Sequence, residues 1–545
     1  MAAVAESNVA KAKVSKRKSD SDEPQQHMLL KRLALSDSQP GTSTRLPSLE
    51  LEEENEHVAG WIEAFQMMSS VDKMTALTAL VDNCSLTHVR HLSDMIEPFF
   101  QKDFISCLPK ELSIQILSML PASDLRKCAS VSRFWRTITE DHYLWRELCR
   151  EAGYTFKGLP PVEMQSNCQF GAPTSSCYMR SEWKALYLRH QRIDNNWRGN
   201  KANDSRVVMR GHDEHVITCL QIHGDMIVSG SDDNTLRVWN ALTAEVVHTL
   251  VGHTGGVWSS QLSTDGCMVA SGSTDRTVRV WNTATGECVH TLMGHTSTVR
   301  CMALHDHVLV TGSRDCTLRV WDIITGACKH VLMGHQSAVR CVNFDGERIV
   351  SGAYDNRLKV WDIHSCECIH TLEGHDNRVY SLILDSKHGL VVSGSLDATI
   401  RVWNITDGTL VHTLRGHQSL TSGMALRDGI LVSGNADSTA KVWDVLDGSC
   451  KHTLAGPNKH QSAVTSLTML DNGLLVTSSD DGTAKLWDTR QGTFVRDLVR
   501  LESGGSGGCI WRLKATPTRL VCAVGSRNGT EDTKLILLNF NSPYP

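Results

Sequence analysis

Two hydrophobic periods divide the chain. Between residues 57 and about 103, Val58, Trp61, Ile62, Phe65 and Met68 recur on one stripe. Apolar residues three and four apart share a helix face, so this segment is predicted helical. Nothing nearby in sequence obviously covers the stripe, which leaves packing within its own domain and self-association both open. After Leu108-Pro109, Leu112, Ile116 and Leu120 repeat at i, i+4 and i+8, predicting a second helix, and Ser123 is placed to cap another that begins at Asp124. Residues 181–195 read as helical again. From about residue 205 the period becomes two. "STVRCMAL" alternates as an inner strand and "VLVTGS" is a second. Arg314-Asp315-Cys316 makes a tight turn, "TLRVWD" is a third strand, and "KHVLMGH" is an outer strand leading into the next unit.

That unit recurs. Gly-His pairs end at His212, His253, His295, His335, His375 and His417, and Trp-Asp or Trp-Asn pairs begin at Trp239, Trp281, Trp321, Trp361, Trp403, Trp443 and Trp487, spaced 40 to 44 residues apart. This period and these marks are the signature of a four-stranded propeller blade. The seventh unit replaces Gly-His with a segment from Gly456 to His460. Three more strands follow Trp487 without the Trp-Asp mark: "GCIWRLKA", "TRLVCAVGS" and "TKLILLNF". They lack an outer strand, which residues 205–210 match. The expectation is an all-β propeller of eight blades, closed by both chain ends so that no sheet edge is left open. In each marked unit the histidine, a strand Ser or Thr, the turn aspartate (Asp233, Asp275, Asp315, Asp355, Asp397, Asp437, Asp481) and the tryptophan can hydrogen-bond in series. Buried polar groups must find partners, so this reads as a blade fastener rather than a metal or catalytic set.

Composition narrows the function. The formal net charge of −5 over 545 residues argues against general binding to nucleic acid or anionic membrane. Six of the 25 histidines occur as Gly-His in the repeating frame, which points to structure, and the 18 cysteines show no C-x-x-C pairs at zinc spacing, so no metal or cofactor is expected. With no signal peptide and no apolar run long enough to span a bilayer, a reducing compartment is expected. No nucleophile–base pair, Walker loop or metal set appears, so no catalytic residue is assigned. Residues 1–55 read as a disordered tail. Its cluster Lys11, Lys13, Lys16, Arg17 and Lys18 suits either a nuclear-import signal or a solvated tail, and an acidic run follows from Glu50 to Glu56.

Residues 104–150 carry a resemblance. Leu108-Pro109, Glu111-Leu112, Ile116-Leu117, Asp124-Leu125, Val131-Ser132-Arg133, Trp135-Arg136 and Leu144-Trp145 follow the F-box pattern in order. With the propeller, the chain resembles the Archipelago-type F-box/WD-repeat substrate receptors of SCF ubiquitin ligases, from about residue 57 to 540. The resemblance implies an eight-bladed WD-repeat propeller (205–545) preceded by a linker with a helix (151–204), an α-helical F-box (104–150) and a helical dimerisation region (56–103). It implies a Skp adaptor, held by Leu108, Pro109, Leu112, Ile116 and Leu120, a cullin beyond it, and a homodimer made through Trp61, Ile62 and Phe65. A non-catalytic role in the nucleus, and possibly the cytoplasm, is expected.

Comparison of the blades with one another points to a ligand site. Framework residues are shared, so positions that differ are free to bind. Five residues after the framework histidine stand Ile217, Trp258, Arg300, Arg340, Tyr380, Ser422 and Thr465, with Trp511 matching in the eighth blade. Just before the turn aspartate stand Asp232, Thr274, Arg314, Tyr354, Leu396, Ala436 and Asp480, with Arg527 matching. Arg300, Arg314 and Arg340 should converge beside Tyr354 across two neighbouring blades, and clustered arginines fit a phosphate through planar bidentate hydrogen bonds. Trp258 and Trp511 should offer flat apolar walls, with Thr274 and Arg527 on the same side. A lone arginine here would read as paired with a local acid or carbonyl, or as solvated. The resemblance implies a phosphothreonine-proline ligand, with Ser297, Thr298 and Arg314 accepting a second phosphate or acidic residue. Tyr380 and, outside both rings, Arg276 complete the candidate set. An enzyme, or a scaffold binding nucleic acid or inositol phosphate, is the competing class, and the scaffold account gives the F-box no role.

Overall fold

The computed structural model describes residues 56–100, 103–155, 181–199, 206–212, 215–503, 507–526 and 531–541. The basic cluster of the tail, Ser205 and Arg527 lie outside them. The chain divides into two compact units, the first ending at Asp103 and the second beginning at Phe104.

In the first unit α1 (Glu56–Met67), α2 (Ser70–Asp82) and α3 (Leu86–Phe100) follow one another. The Ser69 side chain accepts the Asp72 amide at 3.3 Å and caps α2. Trp61 and Phe65, one turn apart, stack at 5.3 Å, yet Trp61 stays 46% exposed and Ile62 45%.

The second unit opens with α4 (Phe104–Cys107), α5 (Lys110–Leu117), α6 (Ala122–Cys128), α7 (Arg133–Thr139) and α8 (His142–Glu151). Ile105, Leu117, Leu125, Ile138, Leu144 and Trp145 form their core. The expected cap does not form: α6 starts at Ala122 with Pro121 at its N-cap, and Ser123 sits inside the first turn. Proline needs no partner for an absent N–H and its φ already suits a helix entry. Helix α9 (Glu182–Arg198) joins the two parts of this unit. Its Trp183 and Tyr187 pack on the α4–α8 core, while Trp197 stacks on Phe540 at 3.6 Å and donates its Nε1–H to Pro517 O at 2.8 Å. Arg496 donates to the Trp197 carbonyl at 2.7 Å, tying the end of α9 to the seventh blade.

Eight four-stranded antiparallel sheets follow. Blades 1 to 7 span residues 217–250, 257–292, 299–332, 339–372, 379–414, 421–454 and 464–500. Blade 8 combines residues 508–539 with Arg206–Arg210, which pairs antiparallel from Arg206↔Leu538 to Arg210↔Lys534. The expected eight-bladed ring and its two-ended closure are therefore what the chain adopts.

The hydrogen-bonded series forms in all seven marked blades. Histidine Nδ1–H donates to the turn aspartate at 2.6–3.1 Å. Nε2 meets the strand Ser or Thr hydroxyl at 2.8–2.9 Å. The tryptophan Nε1–H donates to that same oxygen at 2.8–2.9 Å. Burial alone would raise the Asp233 pKa, but hydrogen bonds from His212 and Thr235 prevail and lower it to about 2.

Candidate functional site

Each inner strand carries a β-bulge at its start. In blade 3 the ladder steps from Val299↔Ser313 to Cys301↔Gly312, leaving Arg300 as the extra residue. The same skip isolates Trp258, Arg340, Tyr380, Ser422, Thr465 and Trp511. A bulged residue is unpaired and its side chain is re-aimed. In blade 1 the bulge falls on Thr218, between Ile217 and Cys219, so Ile217 does not belong to the ring. It is 1% exposed, in the place that Val257 and Val299 fill elsewhere. The loop after His212 is one residue longer than in blades 2 to 7, and fixed counting from the histidine slips by one.

The second ring is tied to the first by backbone. Arg314 N donates to Thr298 O at 3.0 Å, Tyr354 N to Ala338 O at 3.0 Å and Thr274 N to Gly256 O at 3.0 Å. Each acceptor lies two residues before its blade's bulge. Both rings consequently share one edge of the propeller.

The arginines meet there. The Arg300 guanidinium lies 4.2 Å from the Trp258 ring centroid. Burial lowers the Arg300 pKa, and the positive charges of Arg340 and Arg314 act the same way, while Tyr354 opposes them. The two blades thus bring all four groups within electrostatic reach. Arg340 lies 5.8 Å from the Tyr380 ring, and its Nε is buried without a hydrogen-bond partner. Tyr354 and Tyr380 are 5.3 Å apart. Burial raises the Tyr354 pKa and a hydrogen bond with Tyr380 adds to this, against Arg340 and Arg300. A fourth arginine, absent from the sequence reading, joins them: Arg378 sits 5.1 Å over the Tyr354 ring. Among the described residues, no carboxylate lies within ion-pair distance of Arg300, Arg314, Arg340 or Arg378. The local-acid explanation therefore has no partner to offer.

The remaining candidates surround this cluster. Trp258 and Trp511 line a cavity of about 520 Å³ at the channel mouth, with Thr218, Ser422 and Thr465. Thr274 is exposed above it. Ser297 and Thr298 are half-buried, their carbonyls accepting from Ser313 Oγ and Arg314 N. Arg276 is exposed in its turn at φ 71°. The assembled groups are cationic and aromatic. They can hold a planar or tetrahedral anion beside an apolar side chain.

A second surface lies on α5 and its neighbours. Leu112 is 47% and Ile116 42% exposed, and Met119, Val131 and Phe134 are exposed beside them. Pro109 is exposed and Leu108 half-buried, whereas Leu120 packs against the local core. Sequence reasoning did not single out Met119, Val131 and Phe134, because helical period alone does not separate an exposed apolar face from a core face.

Comparison with known proteins settles the kinship. A model described as F-box-like matches residues 105–151. A model described as WD domain, G-beta repeat matches seven segments from 204–240 to 448–488. The F-box/WD repeat-containing protein sel-10 of Caenorhabditis elegans is 49% identical over 521 residues, covering 90% of this chain and 88% of that one. The chain belongs to the F-box/WD-repeat family. A second member, F-box/WD repeat-containing protein 7 of Drosophila melanogaster, is 54% identical over 201 residues, 37% of this chain and 15% of the relative. Arthroderma otae has a more distant one, a probable E3 ubiquitin ligase complex SCF subunit sconB, 25% identical over 36% of this chain and 31% of the relative. Among solved structures, the computationally designed Ika8 protein matches with a TM-score of 0.55 and 34% identity, over 61% of this chain and 98% of that one. In this F-box/WD-repeat chain the WD model stops before blade 8, whose strands lack the Trp-Asp mark. The F-box-like match begins one residue after the start of α4.

Proposed function

We propose that this chain is the non-catalytic substrate-recognition subunit of an SCF-type E3 ubiquitin ligase. Its propeller face binds phosphothreonine-proline segments of proteins destined for ubiquitination. Its F-box recruits the Skp adaptor, and through it a cullin, by the exposed surface of Leu112 and Ile116. The first unit mediates homodimerisation through Trp61, Ile62 and Phe65, and the complex works in the nucleus. One observation carries the reading: arginines on adjacent blades face one edge with no carboxylate partner among the described residues, next to tryptophan walls. Arg300, Arg314 and Arg340 hold one phosphate with Tyr354. Trp258 and Trp511 take the proline or an aliphatic neighbour, and Ser297 and Thr298 with Arg314 accept a second acidic group.

The test is a binding isotherm of a phosphothreonine-proline peptide and its unphosphorylated twin. Charge-assisted hydrogen bonds contribute about 1.5–3 kcal/mol each, so each single Arg→Ala change should weaken the phosphopeptide about tenfold or more. Arg→Lys should rescue poorly, because the flat fork is lost. Equal binding of the twin, or wild-type affinity in all three variants, refutes the receptor reading of this face.

A further inference from the structure

The central channel carries positive charge beyond that of Arg300, Arg314 and Arg340. Its wall is formed by the inner strands, and blade 8 contributes Arg512 and Lys514 from Gly508–Ala515. Along the eight inner strands the single carboxylate is Asp385, which pairs with His388 at 2.7 Å. Below the mouth lies a cavity of about 300 Å³ that Thr218, Trp258, Ser259, Cys301, Arg512 and Lys514 help to line, with no acidic residue among its walls.

The donors in this cavity are only partly used. Arg512 Nε donates to Thr218 O at 3.0 Å, which fixes the plane of the guanidinium. Among the described residues its terminal nitrogens have no hydrogen bond or ion pair, and neither has the Lys514 ammonium. Ser259 Oγ is buried without a partner. Both cations are exposed to the open space of the channel, with the inner strands crowded around them. Desolvation by the crowded channel lowers the Arg512 pKa, with the nearby charges of Arg340 and Arg300 adding to it, and desolvation and Arg512 lower that of Lys514. Two neighbouring like charges without a counter-charge repel each other, and an anion placed between them relieves that repulsion.

We propose that this cavity is an anion site separate from the face pocket, taking a small oxyanion of the phosphate type. A fixed guanidinium, an ammonium and a hydroxyl supply several donors to one multi-acceptor ligand, which suits an oxyanion better than a monatomic ion. The oxyanion has two sources, free inorganic phosphate or an acidic group carried by a bound peptide. The second route is open because this cavity and the one at the mouth share Thr218, Trp258 and Arg512.

The experiment separates the sources from each other and from the face pocket. The full chain carrying Arg300→Ala, Arg314→Ala and Arg340→Ala is titrated with inorganic phosphate by calorimetry at fixed ionic strength. A single saturable site is expected. Adding Lys514→Met, which keeps the aliphatic stem, should weaken it by about tenfold or more, as the loss of one charge-assisted contact implies. Ser259→Ala serves where Lys514→Met fails to fold, with a loss of about threefold or more expected for the removal of one hydroxyl hydrogen bond. In the second arm, the chain with its face arginines intact binds a phosphopeptide with and without an added run of glutamates. A Lys514→Met loss (or Ser259→Ala loss) confined to the extended peptide assigns the site to the peptide. Phosphate binding that survives both changes, or the absence of both the phosphate site and the peptide effect, overturns the inference. The first arm contains no peptide, so its outcome stands whether or not the face is a phosphopeptide receptor.

Discussion

Ser351→Ala tests whether the repeated hydrogen-bond series holds the site-bearing blades together. Ser351 is fully buried in blade 4, below the turn that presents Tyr354 and Asp355. Its oxygen meets His335 Nε2 at 2.8 Å and accepts Trp361 Nε1–H at 2.9 Å. Alanine removes that one atom and leaves two buried polar groups unpaired. At about 1–3 kcal/mol for each orphaned group, the loss is about 2–6 kcal/mol, against a typical domain stability of about 5–15 kcal/mol. The repeat supplies its own control. Threonine fills the equivalent buried position at Thr311 and Thr477, with the same two partners, so Ser351→Thr should stay within about 1 kcal/mol of wild type. The assay is urea unfolding followed by tryptophan fluorescence, with the midpoint shift read at constant slope. An alanine variant within 1 kcal/mol of wild type, or a threonine variant as damaged as the alanine one, refutes the reasoning.

Three further outcomes are expected. Leu112→Asp with Ile116→Asp should abolish pull-down of the Skp adaptor, each lost apolar contact being worth about 1.5–3 kcal/mol, while phosphopeptide affinity is unchanged; joint loss of both would make them core residues. Trp61→Asp with Phe65→Asp should give a monomer by light scattering that still binds adaptor and peptide, whereas a wild-type chain already monomeric at micromolar concentration ends the dimer proposal. Acid should weaken the propeller in two stages. His253 and His417 are lowered from 6.5, chiefly by burial, so the unfolded state takes up their protons first and stability falls as pH drops below about 6.5. Asp233, at about 2 despite the opposing effect of burial, adds stability that is complete above the unfolded value of about 3.9 and is lost as pH falls through 2. A melting temperature that rises between pH 6.5 and 5 contradicts this sign.

The propeller was legible because its fasteners recur at fixed spacing, and because blade 8 keeps its strand alternation without them. Legibility failed where one residue of loop length or one face of a helix decided the outcome. The longer loop after His212 moved the ring position from Ile217 to Thr218. Arg378 escaped because its place, two residues before the bulge, is filled by the small Gly256 and Ala338 in blades 2 and 4, and nothing in sequence marks it as facing Tyr354. In the F-box, Leu112 and Leu117 are equally apolar, yet one is exposed and the other 1% exposed. Only the packing of α9 and α4–α8 tells which of them the core takes. Pro121 takes the N-cap of α6 in place of Ser123, which falls inside the first turn.

The bulge explains how one ring position can serve both the fold and a ligand. In blade 3 the ladder is carried by Val299 and Cys301, and Arg300 between them pairs with nothing. Its identity can change without disturbing register, whereas a change at Val299, which is fully buried, opens the core. Blades 1, 6 and 7 use this freedom for cohesion. Thr218, Ser422 and Thr465 donate their hydroxyls to Val257, Val464 and Ile510 carbonyls, each the residue before the bulge of the next blade. Blades 2 to 5 and blade 8 give up that interblade bond for Trp258, Arg300, Arg340, Tyr380 and Trp511. Trp258, Arg300, Arg340 and Tyr380 therefore occupy one unbroken arc, blades 2 to 5, whose bulge positions carry no hydroxyl staple, while Trp511 of blade 8 stands beyond the Thr218 staple of blade 1. An anion bridging Arg300 and Arg340 would restore across blades 3 and 4 the cohesion that the missing staples leave out, so that ligand binding and propeller stability should rise together.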